Sequence, residues 1–100
     1  MIKLHLFAGR IGPAMGLIET DIMGHLYSDA NEHAELGEAA KALGLHPGWL
    51  QCGPRSGLYH YDLWGARLRA ARRKYPTVCR AEFAQDLKFV KEGYAKRGAG

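Results

Sequence analysis

The sequence predicts a small α/β domain of about four mostly parallel strands and three helices. Three observations carry that prediction, the first two being that short runs alternate apolar and polar residues and that amphipathic stretches of helical period lie between them. The third is size, because 100 residues support one hydrophobic core and not two. Residues 1–95 are expected to form the single domain and residues 96–100 a flexible tail.

Ile2, Leu4 and Leu6 alternate with Lys3 and His5, which marks a first strand over residues 2–7. Gly9, Gly12, Pro13 and Gly16 then break regular structure, placing a loop over residues 8–18. A second strand is expected from Ile22 to Tyr27, with Gly24 inside it. Ser28-Asp29 opens the first helix, Asp29 and Glu32 having capping-box spacing. Leu36, Ala39, Ala40 and Leu43 continue at helical spacing, and Gly44 stops the helix. Pro47-Gly48 makes a turn before Trp49-Leu50, which are expected to anchor a connection into the core.

After turn signals at Gly53-Pro54 and Ser56-Gly57 comes a third strand, Leu58 to Asp62. Trp64, Leu68, Ala71 and Tyr75 form the buried stripe of a second helix that Pro76 ends. Thr77-Val78-Cys79 is a short fourth strand. Phe83, Leu87, Val90 and Tyr94 mark the last helix. Right-handed crossovers between parallel strands would collect His25, Asp29, His60, Asp62 and Arg80 at one sheet edge.

Composition narrows the partners. With 47% hydrophobic and 24% charged residues the chain is of ordinary globular type. No apolar run approaches the roughly 20 residues of a membrane span, and the N-terminal apolar run is too short for a signal peptide. A cytoplasmic protein without membrane partners is expected. Cys52 and Cys79 lack metal-ligand spacing and read as ordinary thiols. Charge is uneven: residues 1–50 carry three Lys/Arg against six Asp/Glu, and residues 51–100 carry eleven against four. The basic half suits a small phosphorylated or nucleotide ligand. A solvated basic helix is the plain alternative.

His60-Tyr61-Asp62 is the most informative run. Alternation puts His60 and Asp62 on one side of a strand and Tyr59 and Tyr61 on the other. His25, His60 and Asp62 are the expected catalytic groups, an imidazole moving a proton while a carboxylate orients it. Together with Asp29 they are also nitrogen and oxygen donors of the kind Zn²⁺ or Mn²⁺ accepts, though not a complete ligand set. Asp29, Tyr61, Arg67 and Arg69 are the expected ligand-binding groups, the arginines holding phosphate oxygens. Simpler roles exist for each: helix caps for Asp29 and Asp62, core or rim positions for the histidines, packing for the tyrosines. Arg69, Arg72 and Arg73 on one helix face would serve as a nucleic-acid track, but no recognisable nucleic-acid motif accompanies them.

The segments Gly24-His25-Leu26, Asp29, Glu35-Leu36, Leu43-Gly44-Leu45, Trp49-Leu50-Gln51 and His60-Tyr61-Asp62-Leu63 with Arg67 resemble a family of small bacterial and phage proteins, domain of unknown function 4031. The resemblance covers residues 2–80. The chain departs from the family pattern at the first strand, which offers His5 where the family tends to have an acid. It departs again at Gly37, where the family has His; His33 lies four residues earlier on the same helix face.

These readings converge on a phosphoester-directed hydrolase of nucleotide phosphodiesterase type. The alternatives are a phage-type sponge that sequesters a nucleotide signal, or a nucleic-acid-binding or structural module. The exposed aromatic residues also permit a homo-oligomer.

Overall fold

A computed structural model describes residues 1–8 and 22–99. Five strands form one sheet: β1 (Ile2–Ala8), β2 (Ile22–Ser28), β3 (Gln51–Cys52), β4 (Tyr59–Leu63) and β5 (Thr77–Val78). Helices α1 (His33–Ala42), α2 (Gly65–Lys74) and α3 (Arg80–Ala99) follow, with a 3-10 turn at Pro47–Trp49. The spatial strand order is β3-β4-β2-β1-β5.

The architecture is a small α/β domain, but the expected four, mostly parallel strands are replaced by five, mostly antiparallel ones. Among the described strands only β1 and β5 pair in parallel; β1–β2, β2–β4 and β3–β4 are antiparallel. Next to β1, strand β2 runs back in the opposite direction, Ile2 standing across from Ser28 and Ala8 from Ile22. Strand and helix order fixes neither pairing partner nor direction, and a helix between β2 and β4 does not force them parallel. The fifth strand is the two-residue β3, formed where a bare connection was expected. The loop expected over residues 8–18 lies, from residue 9 onward, outside the described residues.

Alternation divides the sheet into two unlike faces. On one, Leu4, Leu26, Tyr61 and Leu63 pack with Leu36, Ala39 and Ala40 of α1 and with Leu68 and Ala71 of α2. Burying a Leu-sized side chain contributes about 1.5–3 kcal/mol, so this cluster dominates the hydrophobic stabilisation. Gly24 belongs in the middle of β2 because a Cβ there would lie 2.6 Å from Leu68 Cδ1. Its missing side chain is what lets α2 approach the sheet.

Local signals acted unevenly. Gly44, at φ 73°, ends α1 with the bonds Leu45 N–H to Ala40 O and Gly44 N–H to Lys41 O, a Schellman motif. The helix starts later than Asp29, at His33, and its N-cap Glu32 makes no side-chain cap bond. Asp29 instead faces the Met1 amine at 2.9 Å and Lys3 Nζ at 3.2 Å. Asn31, at φ 54°, accepts from Tyr59 N–H and donates to Gly57 O, tying the α1 entrance to the start of β4. The helix α3 spans Arg80–Ala99. No described helix is long and apolar enough to cross a membrane.

The second face is polar and lies under α3. Phe83, Leu87 and Val90 close on Tyr27, Leu58 and Val78. Beside them Lys3, only 9% exposed, sits 2.9 Å from Glu82 and 3.0 Å from Asp86, with Asp29 as its third carboxylate. Burial pulls the ammonium pKa down, but hydrogen bonds to Glu82, Asp86 and Asp29 outweigh this and hold it above its ordinary value. The Tyr27 hydroxyl donates to Asp86 at 2.6 Å. This cluster fastens α3 to β1 and β2. Lys3→Ala strands three gathered carboxylates and is expected to cost about 3–5 kcal/mol in urea denaturation, against roughly 0–1 kcal/mol for an exposed pair. A loss in the lower range would show that the cluster is not structural.

Candidate active site

The same polar face brings His25, His60 and Asp62 together, and it does so by register. In the antiparallel β2–β4 pair His25 stands directly opposite Asp62, and His60 lies two residues before Asp62 on the same side of β4. The meeting point is therefore inside the sheet, not at the edge of parallel strand ends that the strand order suggested. His25 Nε2 lies 3.5 Å and His60 Nε2 3.7 Å from Asp62 Oδ1. One donor atom from each residue falls within 4.8 Å of the other two.

Each side chain is held by its neighbours. Leu58 O lies 3.1 Å from His60 Nδ1. A carbonyl only accepts, so the neutral ring carries its proton on Nδ1 and turns the Nε2 lone pair toward Asp62. Gln51 on β3 donates from Nε2 to Asp62 Oδ2 at 3.0 Å, fixing the carboxylate plane. Phe7 stacks on the His25 ring at 4.0 Å between centroids, and Phe83 of α3 lies 5.6 Å away. Burial under these rings, with His60 nearby, lowers the His25 pKa to about 4 despite Asp62. His25 is neutral at pH 7. Asp62 Oδ1 and His25 Nδ1 are buried and have no hydrogen-bond partner among the described residues.

A cleft of about 590 Å³ opens on the other side of Asp62. Its walls include Trp49, Gln51, Leu63, Trp64 and Arg67 along with Asp62. The Arg67 guanidinium lies over the Trp49 ring, 5.0 Å from its centroid. Both indoles are unusually open for Trp, 49% for Trp49 and 41% for Trp64. Neither is the core anchor that its place in the hydrophobic pattern implied. Asp62 does not cap α2 either; Trp64 is its N-cap, without a side-chain bond.

Of the residues expected at the site, His25, His60 and Asp62 meet and Arg67 shares the cleft with Asp62. Asp29 does not join them, being past the end of β2 and bound to Met1 and Lys3. Tyr61 does not either: it is 4% exposed and points into the core on the opposite face. Arg69 is exposed on α2 and does not line the cleft; Arg72 and Arg73 are likewise exposed. Arg80, at the start of α3, acts on His5, whose pKa burial lowers first and this cation lowers further. His33 packs edge-on against Tyr59, on the far face of the sheet from His60.

Three contributors were not anticipated: Gln51, Trp49 as a cleft wall, and Phe83, which stacks on His5 at 4.0 Å. The strand alternation of Lys3-His5-Phe7 was the available signal for the first-strand members, since it puts His5 and Phe7 on one face. No protein-family model, curated protein or solved structure matches the chain.

The depressed His25 pKa has a consequence for stability. Between its ordinary value of 6.5 and about 4 the unfolded chain binds a proton that the folded chain does not. Stability is thus full above pH 6.5 and is lost as pH falls toward 4, by up to about 3 kcal/mol for this group. With EDTA present, His25→Gln is expected to remove most of the pH slope of the denaturation free energy in that window, leaving the smaller contribution of His5. An unchanged slope would place the acid sensitivity elsewhere.

Proposed function

We propose that the chain is a small phosphoester-directed hydrolase whose His25, His60 and Asp62 side chains hold a divalent metal ion of the Zn²⁺ or Mn²⁺ type. One observation carries this reading: a buried carboxylate oxygen, Asp62 Oδ1, faces two imidazole nitrogens at 3.5 and 3.7 Å, beyond the 2.7–3.2 Å range of N–H···O bonds. The His60 tautomer set by Leu58 O makes its Nε2 a second acceptor pointing at an acceptor. Two lone pairs in that relation are stabilised by a cation between them. Ligands on a tetrahedral Zn²⁺ stand about 3.4 Å apart, given Zn–N and Zn–O distances of about 2.0–2.2 Å, close to the 3.5 and 3.7 Å between the imidazoles and Asp62 Oδ1.

Two His and one carboxylate leave further coordination positions for water or substrate, the pattern of catalytic rather than structural metal sites. A bound metal of this class polarises a phosphoryl oxygen and acidifies water. The protein groups supply the rest. His25 and His60 would supply nitrogen ligands, Gln51 keeps Asp62 in plane, and Phe7 and Phe83 shield the His25 ring. Arg67, in the cleft that Asp62 lines, is placed to neutralise the non-bridging oxygens of a phosphoester. In hydrolysis water attacks phosphorus, the P–O bond to the alcohol breaks, and the alcohol leaves with a proton.

The basic second half of the chain favours phosphate esters over neutral substrates. The resemblance to domain of unknown function 4031 supports the grouping of His25 with His60-Tyr61-Asp62 and Arg67, without adding an activity. A second reading, a sponge that holds a nucleotide signal intact, is favoured by the exposed indoles beside Arg67.

Incubation of the purified protein with cyclic and linear nucleotides, followed by chromatography, separates the two. Turnover is expected with Mn²⁺ or Zn²⁺, to be abolished by EDTA, and to fall more than about 100-fold in His60→Ala. Gln51→Ala, which removes only the partner of a ligand, is expected to lose about 10–100-fold. Recovery of intact ligand after heat denaturation, with no product under any metal, would replace the hydrolase by the sponge.

A further inference from the structure

We infer that the cleft beside the His25–His60–Asp62 centre is a recognition pocket for the aromatic base of a nucleotide-type phosphoester. The inference deepens the hydrolase reading by naming its substrate class, and it rests on that reading only for the position of the phosphate. Its volume, about 590 Å³, falls within the roughly 300–1,000 Å³ of small-molecule sites. Its walls are aromatic and cationic at once. Trp64 presents an exposed indole, and Trp49 carries the Arg67 guanidinium on its face at 5.0 Å.

A guanidinium over an indole face is attracted to the ring and still offers a planar fork of N–H donors that meets phosphate oxygens in pairs. Among the described residues Arg67 makes no ion pair. Its charge is therefore not taken by a neighbouring carboxylate. Gln51 uses its NH₂ group on Asp62, because a carboxylate accepts only, and this leaves Oε1 for an N–H of a base. Asp62 belongs to both places: Oδ2 meets Gln51 at the cleft wall and Oδ1 faces the imidazoles. A base against Trp64 is thereby tied to a phosphate within reach of both Arg67 and the metal ligands. A sugar phosphate satisfies Arg67 but leaves the indole faces wet. A purely apolar ligand leaves the guanidinium uncompensated. A base joined to a phosphate satisfies both.

The chain offers a direct probe. It contains two tryptophans, and both line this cleft, so intrinsic tryptophan fluorescence reports on the pocket. The test is fluorescence titration in EDTA with nucleoside monophosphates and with ribose 5-phosphate. The nucleotides are expected to quench and to bind at least about fivefold more tightly than the sugar phosphate, since stacking of one base is worth about 1–3 kcal/mol. Trp64→Ala should erase the preference and Trp64→Phe keep much of it, with circular dichroism to confirm folding; the Trp49 indole reports in both. His60→Ala should leave the preference intact.

Equal affinity for ribose 5-phosphate overturns the inference, leaving a plain phosphate site. So does a preference that survives Trp64→Ala, or binding seen only with long single strands and a steep salt dependence. Base-selective binding without turnover under any metal keeps the pocket and removes the hydrolase. Metal-dependent turnover without base preference does the reverse.

Discussion

The antiparallel register of β2 and β4 sets His25 opposite Asp62, and the chemistry of this protein depends on that pairing. A slip of β4 by one residue would send His60 and Asp62 toward the apolar core and bring Tyr61 and Leu63 to the polar face. The register is held because the opposite face is so strongly apolar: Leu4, Leu26, Tyr61 and Leu63 must all stay under α1 and α2. Packing on one face thus positions polar groups on the other. Gly24 contributes by admitting Leu68, and Asn31 by fixing where β4 begins.

The polar face holds two charge clusters of opposite character. Around Lys3 one ammonium meets three carboxylates and the Tyr27 hydroxyl meets Asp86, so charge and hydrogen-bonding demand are met within the protein. Around Asp62 one carboxylate meets two imidazole rings and keeps a buried oxygen without a partner among the described residues. Buried polar atoms are nearly always satisfied, and an unsatisfied one costs about 1–3 kcal/mol or more when charged. Two such different balances side by side, under the same helix, distinguish a fastening from a site. Phe83 links them, stacking on His5 and lying against Tyr27.

Much of the local structure was legible. The alternation in Leu58-Tyr59-His60-Tyr61-Asp62 separated the two site residues from the tyrosines, and Gly44 marked a helix end that the Schellman bonds confirm. Strand direction was not legible, because periodicity describes faces and not partners. That error moved the expected meeting place to a sheet edge and drew in Asp29, which the Met1 amine and Lys3 occupy instead. Trp49 and Trp64 were misjudged for a related reason. Hydrophobic spacing marks a residue as turned inward, and a cleft wall has the same spacing as a core. Gln51 carried no signal of its own; only the pairing of β3 with β4 puts it opposite His60 and within reach of Asp62.

The central claim is that the three donor atoms are arranged for one cation. Anomalous X-ray scattering from crystals grown with Zn²⁺ tests it most directly. The account predicts one peak at about 2.0–2.2 Å from His25 Nε2, His60 Nε2 and Asp62 Oδ1, with His60 Nδ1 still donating to Leu58 O. No peak between these side chains at saturating zinc, or an ion bound elsewhere while they turn apart, would contradict it.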